Sequence, residues 1–179
     1  SKDINKKIAS TSTSDISIYE CINFARGAVT PSLNPKAIEC LEKSIKKDPN
    51  YADAWIWLAD RKRAQHSSFS MTNEFKYMLE EASKEINRGL ILDPEHAFGY
   101  STKLQIEFYK NNWQEMFNVA EKAYSLAGER PHLLGKIGYS LAYGGQCEKE
   151  DIYKSTDELK SVKNNSCLLY TSPSPRDGL

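Results

Sequence analysis

An internal repeat is the feature of this sequence that most constrains its fold. The segments Ala37 to Trp55 and Ala82 to Tyr100 share one pattern: alanine, an apolar residue, a small residue, Asp-Pro, then alanine and an aromatic residue. The two closing prolines, Pro49 and Pro94, lie 45 residues apart. A unit of this size cannot bury an apolar face alone, so the chain is predicted to stack several units around a continuous core.

The repeated segments have the apolar spacing of helices. Apolar residues recur three and four positions apart over 37–47, over 51–65 and from about Thr72 to Asp93. Asn34 and Pro35 are predicted to cap and open the first of these helices, and Asp48 to end it before proline. No stretch alternates with a period of two, so the sequence predicts an all-α protein without strands.

Composition narrows the classes of partner. Lys plus Arg and Asp plus Glu are 24 each, so the net charge is zero. A general nucleic-acid binder carries a basic excess, and a polybasic membrane anchor needs one too. No stretch approaches the length of an apolar membrane span. We therefore expect no direct nucleic-acid contact and no membrane contact within this chain.

The four cysteines are far apart and form neither a CxxC pair nor a zinc spacing with the three histidines. We expect free, buried or half-buried thiols and no metal site. Free thiols favour a reducing, cytoplasmic location, with the periplasm as an open alternative.

Several of these residues match the tetratricopeptide repeat (TPR), whose period is 34 residues. Trp55, Leu58 and Ala59 match its first-helix positions, and Ala37, Leu41, Ser44 and Pro49 match its second-helix positions. Cys21, Phe24 and Ala25 fall on the first-helix core positions of the preceding repeat. The second repeat is 11 residues longer than the family period, an excess that we place in the polar break from Ser67 to Asn73.

The resemblance implies an all-α, right-handed superhelical stack of antiparallel helix hairpins, a TPR-like α-solenoid of about four repeats. It covers 15–163, with a polar linker at 1–14 and a disordered tail at 164–179 that resembles translated sequencing-adapter read-through. The fourth repeat has a weaker second helix, carried by Ile152, Leu159 and Val162. The arrangement is also similar to repeat regions attached to bacterial nucleotide cyclases and winged-helix regulators.

Catalytic signals are weak. The sequence contains no nucleophile motif and no glycine-rich phosphate loop. The carboxylates of Glu80 and Glu81 are neighbours on a helix and therefore point apart. We predict a non-enzymatic, cofactor-free module that binds a protein or peptide segment. The alternative is a regulatory or sensory region of a larger bacterial signalling enzyme or transcription regulator, and an unrecognised enzyme is least favoured.

The resemblance also implies where a peptide would bind, in a concave groove lined by first helices. The family's contact positions fall on the following residues of this chain: Asp53, Ile56, Asp60, Arg63, Phe98, Ser101, Gln105, Phe108, Tyr109, His132, Tyr139 and Tyr143. Ile22 and Arg26 extend the set into the first repeat. Trp55 is expected to be a core residue, whereas Trp57, two positions on, is expected to be the more exposed of the two.

Overall fold

Seven helices make up the part of the chain that the structure, a computed structural model, describes: residues 15–65 and 72–143. They are α1 (Ile16–Gly27), α2 (Asn34–Lys47), α3 (Ala52–Ala64), α4 (Asn73–Leu92), α5 (Ala97–Tyr109), α6 (Trp113–Ala127) and α7 (Pro131–Tyr143). No strand occurs within those ranges. The all-α prediction is confirmed.

The helices pair as consecutive hairpins. α1 packs on α2, α3 on α4, and α5 on α6, while α7 opens a fourth unit. Each odd-numbered helix also contacts the next odd-numbered helix, so that α1, α3, α5 and α7 lie side by side. The predicted second helix of the fourth repeat, the linker at 1–14 and the tail at 164–179 lie outside the described residues.

The core runs through the stack as three adjoining clusters. The first joins α1, α2 and α3, the second joins α3, α4 and α5, and the third joins α5, α6 and α7. Their central side chains include Ile18, Ile22, Leu41, Ile56, Ile86, Leu104, Met116 and Ile137, all at most 1% exposed. Helices shared between clusters make the core continuous, as stacked repeats require.

Gly89 shows how closely neighbouring helices approach. A Cβ atom built on Gly89 of α4 would lie 2.6 Å from Ile56 Cγ1 and 3.3 Å from the Ile56 backbone nitrogen on α3. The small residue that the repeat pattern places here is therefore a steric requirement of the α3–α4 contact.

Most of the helix ends that the sequence predicts lie where the structure has them. Thr72 Oγ1 accepts from the Phe75 backbone N–H at 3.1 Å and caps α4, and α2 ends at Lys47, before Asp48-Pro49. Asn34 was wrongly expected to be an N-cap: it is the first residue of α2, it is buried, and its Nδ2 donates to the Arg61 carbonyl oxygen at 2.8 Å.

Two features of the repeat register differ from expectation. α4 has 20 residues against 14 in α2, so part of the extra length of the second repeat is helical rather than lying in the polar break. In the first repeat Cys21 and Ala25 are buried as predicted, but Phe24 is 39% exposed, because Ile18 and Ile22 fill the core instead.

The expectation of free thiols is wrong for two of the cysteines. Packing of α1 on α2 brings the Cα atoms of Cys21 and Cys40 to 5.9 Å, and the structure joins their sulfurs in a disulfide. This distance falls in the ordinary range for a disulfide. Cys147 and Cys167 lie outside the described residues.

Candidate functional site

Two stacked aromatic rings with a cation at each side cross the side-by-side helices α1, α3, α5 and α7. We call Arg26, Trp57, Phe98 and Lys136 the aromatic–cation cluster. The rings of Trp57 and Phe98 stack with centroids 4.3 Å apart. Lys136 Nζ lies 4.4 Å from the Phe98 centroid, and the Arg26 guanidinium lies 5.7 Å from the Trp57 centroid. One residue from each odd-numbered helix thus contributes to a single surface, and both rings remain partly exposed.

Beneath this cluster lies a buried carboxylate with three cationic partners. Asp60 is completely buried and forms ion pairs with Arg61, with Arg63 at 2.8 Å and with Lys136 at 3.3 Å. Burial favours the neutral acid, but the three cations outweigh it and hold the pKa of Asp60 far below its usual range.

This arrangement carries an excess of positive charge, because three cations face one carboxylate. Burial lowers the pKa of Lys136, and Asp60 opposes that effect. Lys136 Nζ bridges Asp60 and the Phe98 ring, so the buried carboxylate fixes a cation at the exposed aromatic surface. The local field favours an anionic group on a ligand.

A second polar group lies where α1 meets α3. Asp53 accepts from His96 Nε2 at 2.7 Å and from the Tyr51 hydroxyl at 3.3 Å, and pairs with Arg26 at 3.5 Å. Burial opposes ionisation of Asp53, but the hydrogen bond from His96, the charge of Arg26 and the hydrogen bond from Tyr51 hold its pKa below the usual range. His96 Nδ1 meanwhile accepts from the Gly99 backbone N–H at 3.0 Å and caps α5. These contacts tie Arg26 to the start of α5.

A third group is aromatic. Phe108 makes edge-to-face contacts with Tyr109, Trp113 and Tyr139, with ring centroids 5.2 Å, 5.9 Å and 6.0 Å away. Tyr139 is 39% exposed, whereas Phe108 is half-buried against the third core cluster. The predicted groove residues Phe108, Tyr109 and Tyr139 therefore meet, and Tyr139 presents the most open ring.

Several predicted contact residues have no surface to offer a ligand in this structure. Ile22, Ile56, Asp60 and Ser101 are at most 1% exposed, because the close approach of neighbouring helices turns these positions into the core. Gln105 is 8% exposed. The Arg63 side chain keeps 11% exposure, and Asp53 and Phe98 are half-buried.

Two predicted residues lie apart from these groups. His132 is exposed near the start of α7. Tyr143 is the last residue of α7, and its side chain lies outside the described part of the structure.

The expectation that Trp55 is a core residue is wrong: both tryptophans are half-buried, and Trp57 is the one that packs against a described core cluster. Trp55 is half-buried and its indole N–H donates to the Pro49 carbonyl oxygen at 2.9 Å, but it joins none of the described core clusters. Trp57 packs against the first core cluster and stacks on Phe98. Trp57 is therefore the residue that links the core to the candidate surface.

Sequence reasoning missed Lys136, Arg61 and His96 as site residues. The sequence did contain a signal for Lys136. Lys136 lies five residues after the first residue of α7, and Trp57 lies five residues after the first residue of α3. This helix position is outside the set of contact positions that the family resemblance implies. Both point to the same cluster because consecutive first helices lie side by side.

Neither a metal-ligand cluster nor a membrane-spanning helix occurs within the described ranges. No group of three or more His, Cys, Asp or Glu side chains there could hold a metal ion. None of the helices described is long and apolar enough to cross a membrane.

Comparison with known proteins identifies the fold. No family model matches the sequence, and no curated protein matches it. The structure is similar to the crystal structure of a thermophilic TPR protein from Thermus thermophilus, with a TM-score of 0.58 and 14% sequence identity over 83% of this chain and 80% of that chain. An all-helical stack of repeated hairpins with this likeness has the tetratricopeptide-repeat-like helical fold.

Proposed function

We propose that this chain is a non-catalytic module that binds a peptide or protein segment across its odd-numbered helices. The observation that carries the proposal is the aromatic–cation cluster, in which four consecutive first helices each supply one side chain to a partly exposed surface. Stacked-repeat proteins use such extended surfaces for binding. Aromatic residues and arginine dominate the energetics of protein interfaces.

The cluster also indicates the chemistry of the partner. The Trp57–Phe98 stack offers a flat apolar face for one anchor side chain, and Arg26 and Lys136 flank it with positive charge. Arg26 is half exposed and can form a bidentate pair with a carboxylate. The partner is therefore a short segment with an apolar or aromatic anchor next to an acidic residue.

A peptide-display screen against the whole chain tests the proposal. Enriched peptides should combine an apolar anchor with a nearby Asp or Glu, and their affinity should fall as salt rises, because part of the attraction comes from exposed charge. Phe98→Ala should weaken binding at least about tenfold, which corresponds to roughly 1.4 kcal/mol.

Matched variants away from the cluster give the controls. Tyr77→Ala removes an exposed aromatic ring from α4, and Arg88→Gln removes an exposed arginine from the same helix. Both should leave affinity unchanged, whereas Arg26→Gln should reduce both affinity and its salt dependence. Equal binding by the wild type and a folded Phe98→Ala variant would show that the partner binds elsewhere.

A further inference from the structure

A cavity opens where the loop after α1 meets the start of α2 and the end of α3, and Arg61 is one of its lining residues. It has a volume of about 420 Å³. Ala28, Asn34 and Arg61 are its buried lining residues, and its exposed lining residues are Val29, Thr30, Pro31, Ala64 and Gln65. Its volume lies in the range of small-molecule sites.

Two of the buried lining residues are polar and incompletely paired. Asn34 is 3% exposed and Arg61 is 8% exposed. Asn34 Nδ2 donates to the Arg61 carbonyl oxygen, which fixes the orientation of the amide and leaves Asn34 Oδ1 without a partner. Arg61 donates from Nη1 to the Ala28 carbonyl oxygen at 2.7 Å and pairs through Nη2 with Asp60, while its Nε has no partner.

We propose that this cavity is a binding site for a neutral carboxamide or peptide group. An amide carries both complements: its carbonyl oxygen accepts from Arg61 Nε–H and its N–H donates to Asn34 Oδ1. Leaving one buried donor and one buried acceptor unpaired is costly, so a ligand that pairs both gains from each. The exposed Val29 and Pro31 contact the apolar part of such a ligand.

The two unpaired atoms select against ionic ligands. A cation meets the Arg61 guanidinium and leaves its Nε–H unpaired, and a carboxylate has no proton to donate to Asn34 Oδ1. A neutral group with adjacent donor and acceptor is the chemistry that remains. The site differs from the peptide surface proposed above, which favours an acidic partner, and its test is independent of that surface.

An NMR titration of the whole chain with three small probes tests the site. Acetamide supplies both groups, N,N-dimethylacetamide lacks the N–H, and acetate replaces the amide with a charge. The readouts are the Nε–H signal of Arg61 and the side-chain NH₂ signals of Asn34. Acetamide should shift these signals to saturation, and the other two probes should bind at least about tenfold more weakly.

Ala64→Trp provides a variant that leaves the buried network intact, because Ala64 is exposed at the end of α3. It should narrow the cavity and abolish the acetamide response, with the rest of the spectrum unchanged. Lys43→Trp, on the exposed side of α2, is the matched control and should respond like the wild type.

Each alternative outcome overturns the proposal in a recognisable way. An absent acetamide response means that water alone satisfies the two atoms. Equal binding of N,N-dimethylacetamide means that the cavity selects only for shape. Preferential binding of acetate means that Arg61 forms an anion site. A loss of acetamide binding in Lys43→Trp as well as in Ala64→Trp means that the signals report on folding rather than on the cavity.

Discussion

Gly89→Ala is the substitution whose effect follows most directly from the packing of the repeats. The added methyl group would lie 2.6 Å from Ile56 Cγ1, well inside contact distance, and 3.3 Å from the Ile56 backbone nitrogen. Ile56 is fully buried and β-branched, so its side chain has few other rotamers, and the nearby backbone cannot move without shifting α3.

The magnitude combines two opposing effects. Overpacking a well-packed core costs roughly 1–3 kcal/mol. Alanine is a better helix former than glycine and returns up to about 1 kcal/mol. Because the clash involves a stiff side chain and a backbone atom, we expect the upper half of the range and a net loss of about 1–2 kcal/mol in the free energy of unfolding.

Gly135→Ala is the matched control for this substitution. Gly135 lies inside α7, is exposed, and has nothing within 4 Å of a built Cβ atom. There the gain in helix propensity acts alone and should stabilise the chain by up to about 1 kcal/mol. Urea titration followed by circular dichroism measures both variants. Opposite signs support the packing described here, and a stabilising Gly89→Ala would refute the close α3–α4 contact.

Three further predictions concern burial, covalent linkage and the tryptophans. Burial raises the pKa of Glu85 to about 7 from an ordinary 4.5, so the folded state binds the proton more tightly than the unfolded state. The free energy of unfolding, measured by urea titration, should therefore fall by up to about 3 kcal/mol as pH rises from 5 to 8. Glu85→Gln should remove most of this pH dependence. Reducing the Cys21–Cys40 disulfide, which spans 19 residues, should lower the free energy of unfolding by roughly 3 kcal/mol, and a Cys21→Ser, Cys40→Ser variant should not respond to reductant. Trp57→Ala should lower the free energy of unfolding by roughly 2–3 kcal/mol and Trp55→Ala by about 1 kcal/mol, because of the two only Trp57 packs on a described core cluster and on a second ring. Equal urea midpoints for the two variants would contradict that difference.

The fold could be predicted because its signals are local. The Asp-Pro pairs end α2 and α4, because proline disfavours a helical conformation in the residue before it. The four- and three-residue spacing of Ala37, Leu41 and Ser44 determines which face of α2 is buried. The same pattern around Ala82, Ile86 and Gly89 sets the next unit. Such spacings depend only on helix geometry and proline sterics, so one sequence is enough to read them.

The site was less predictable because it depends on distances between helices. Ile56 was predicted to face a ligand, but Gly89 and Gly99 let α4 and α5 approach α3 so closely that Ile56 becomes part of the core. Lys136 reaches Asp60, 76 positions earlier in the chain, and no local pattern signals such a contact. The buried role of Asn34 follows likewise from the carbonyl oxygen it meets on α3.

Chemical-shift mapping with a peptide from the display screen tests the central claim most directly. If the partner binds across the odd-numbered helices, the largest changes on titration should fall on the Trp57 indole N–H, the Phe98 ring and the Lys136 side chain, with smaller changes at Arg26. The Tyr77 ring on α4 should stay unchanged. Saturable changes centred on α4, with the Trp57 and Phe98 signals unmoved, would contradict the proposed binding surface.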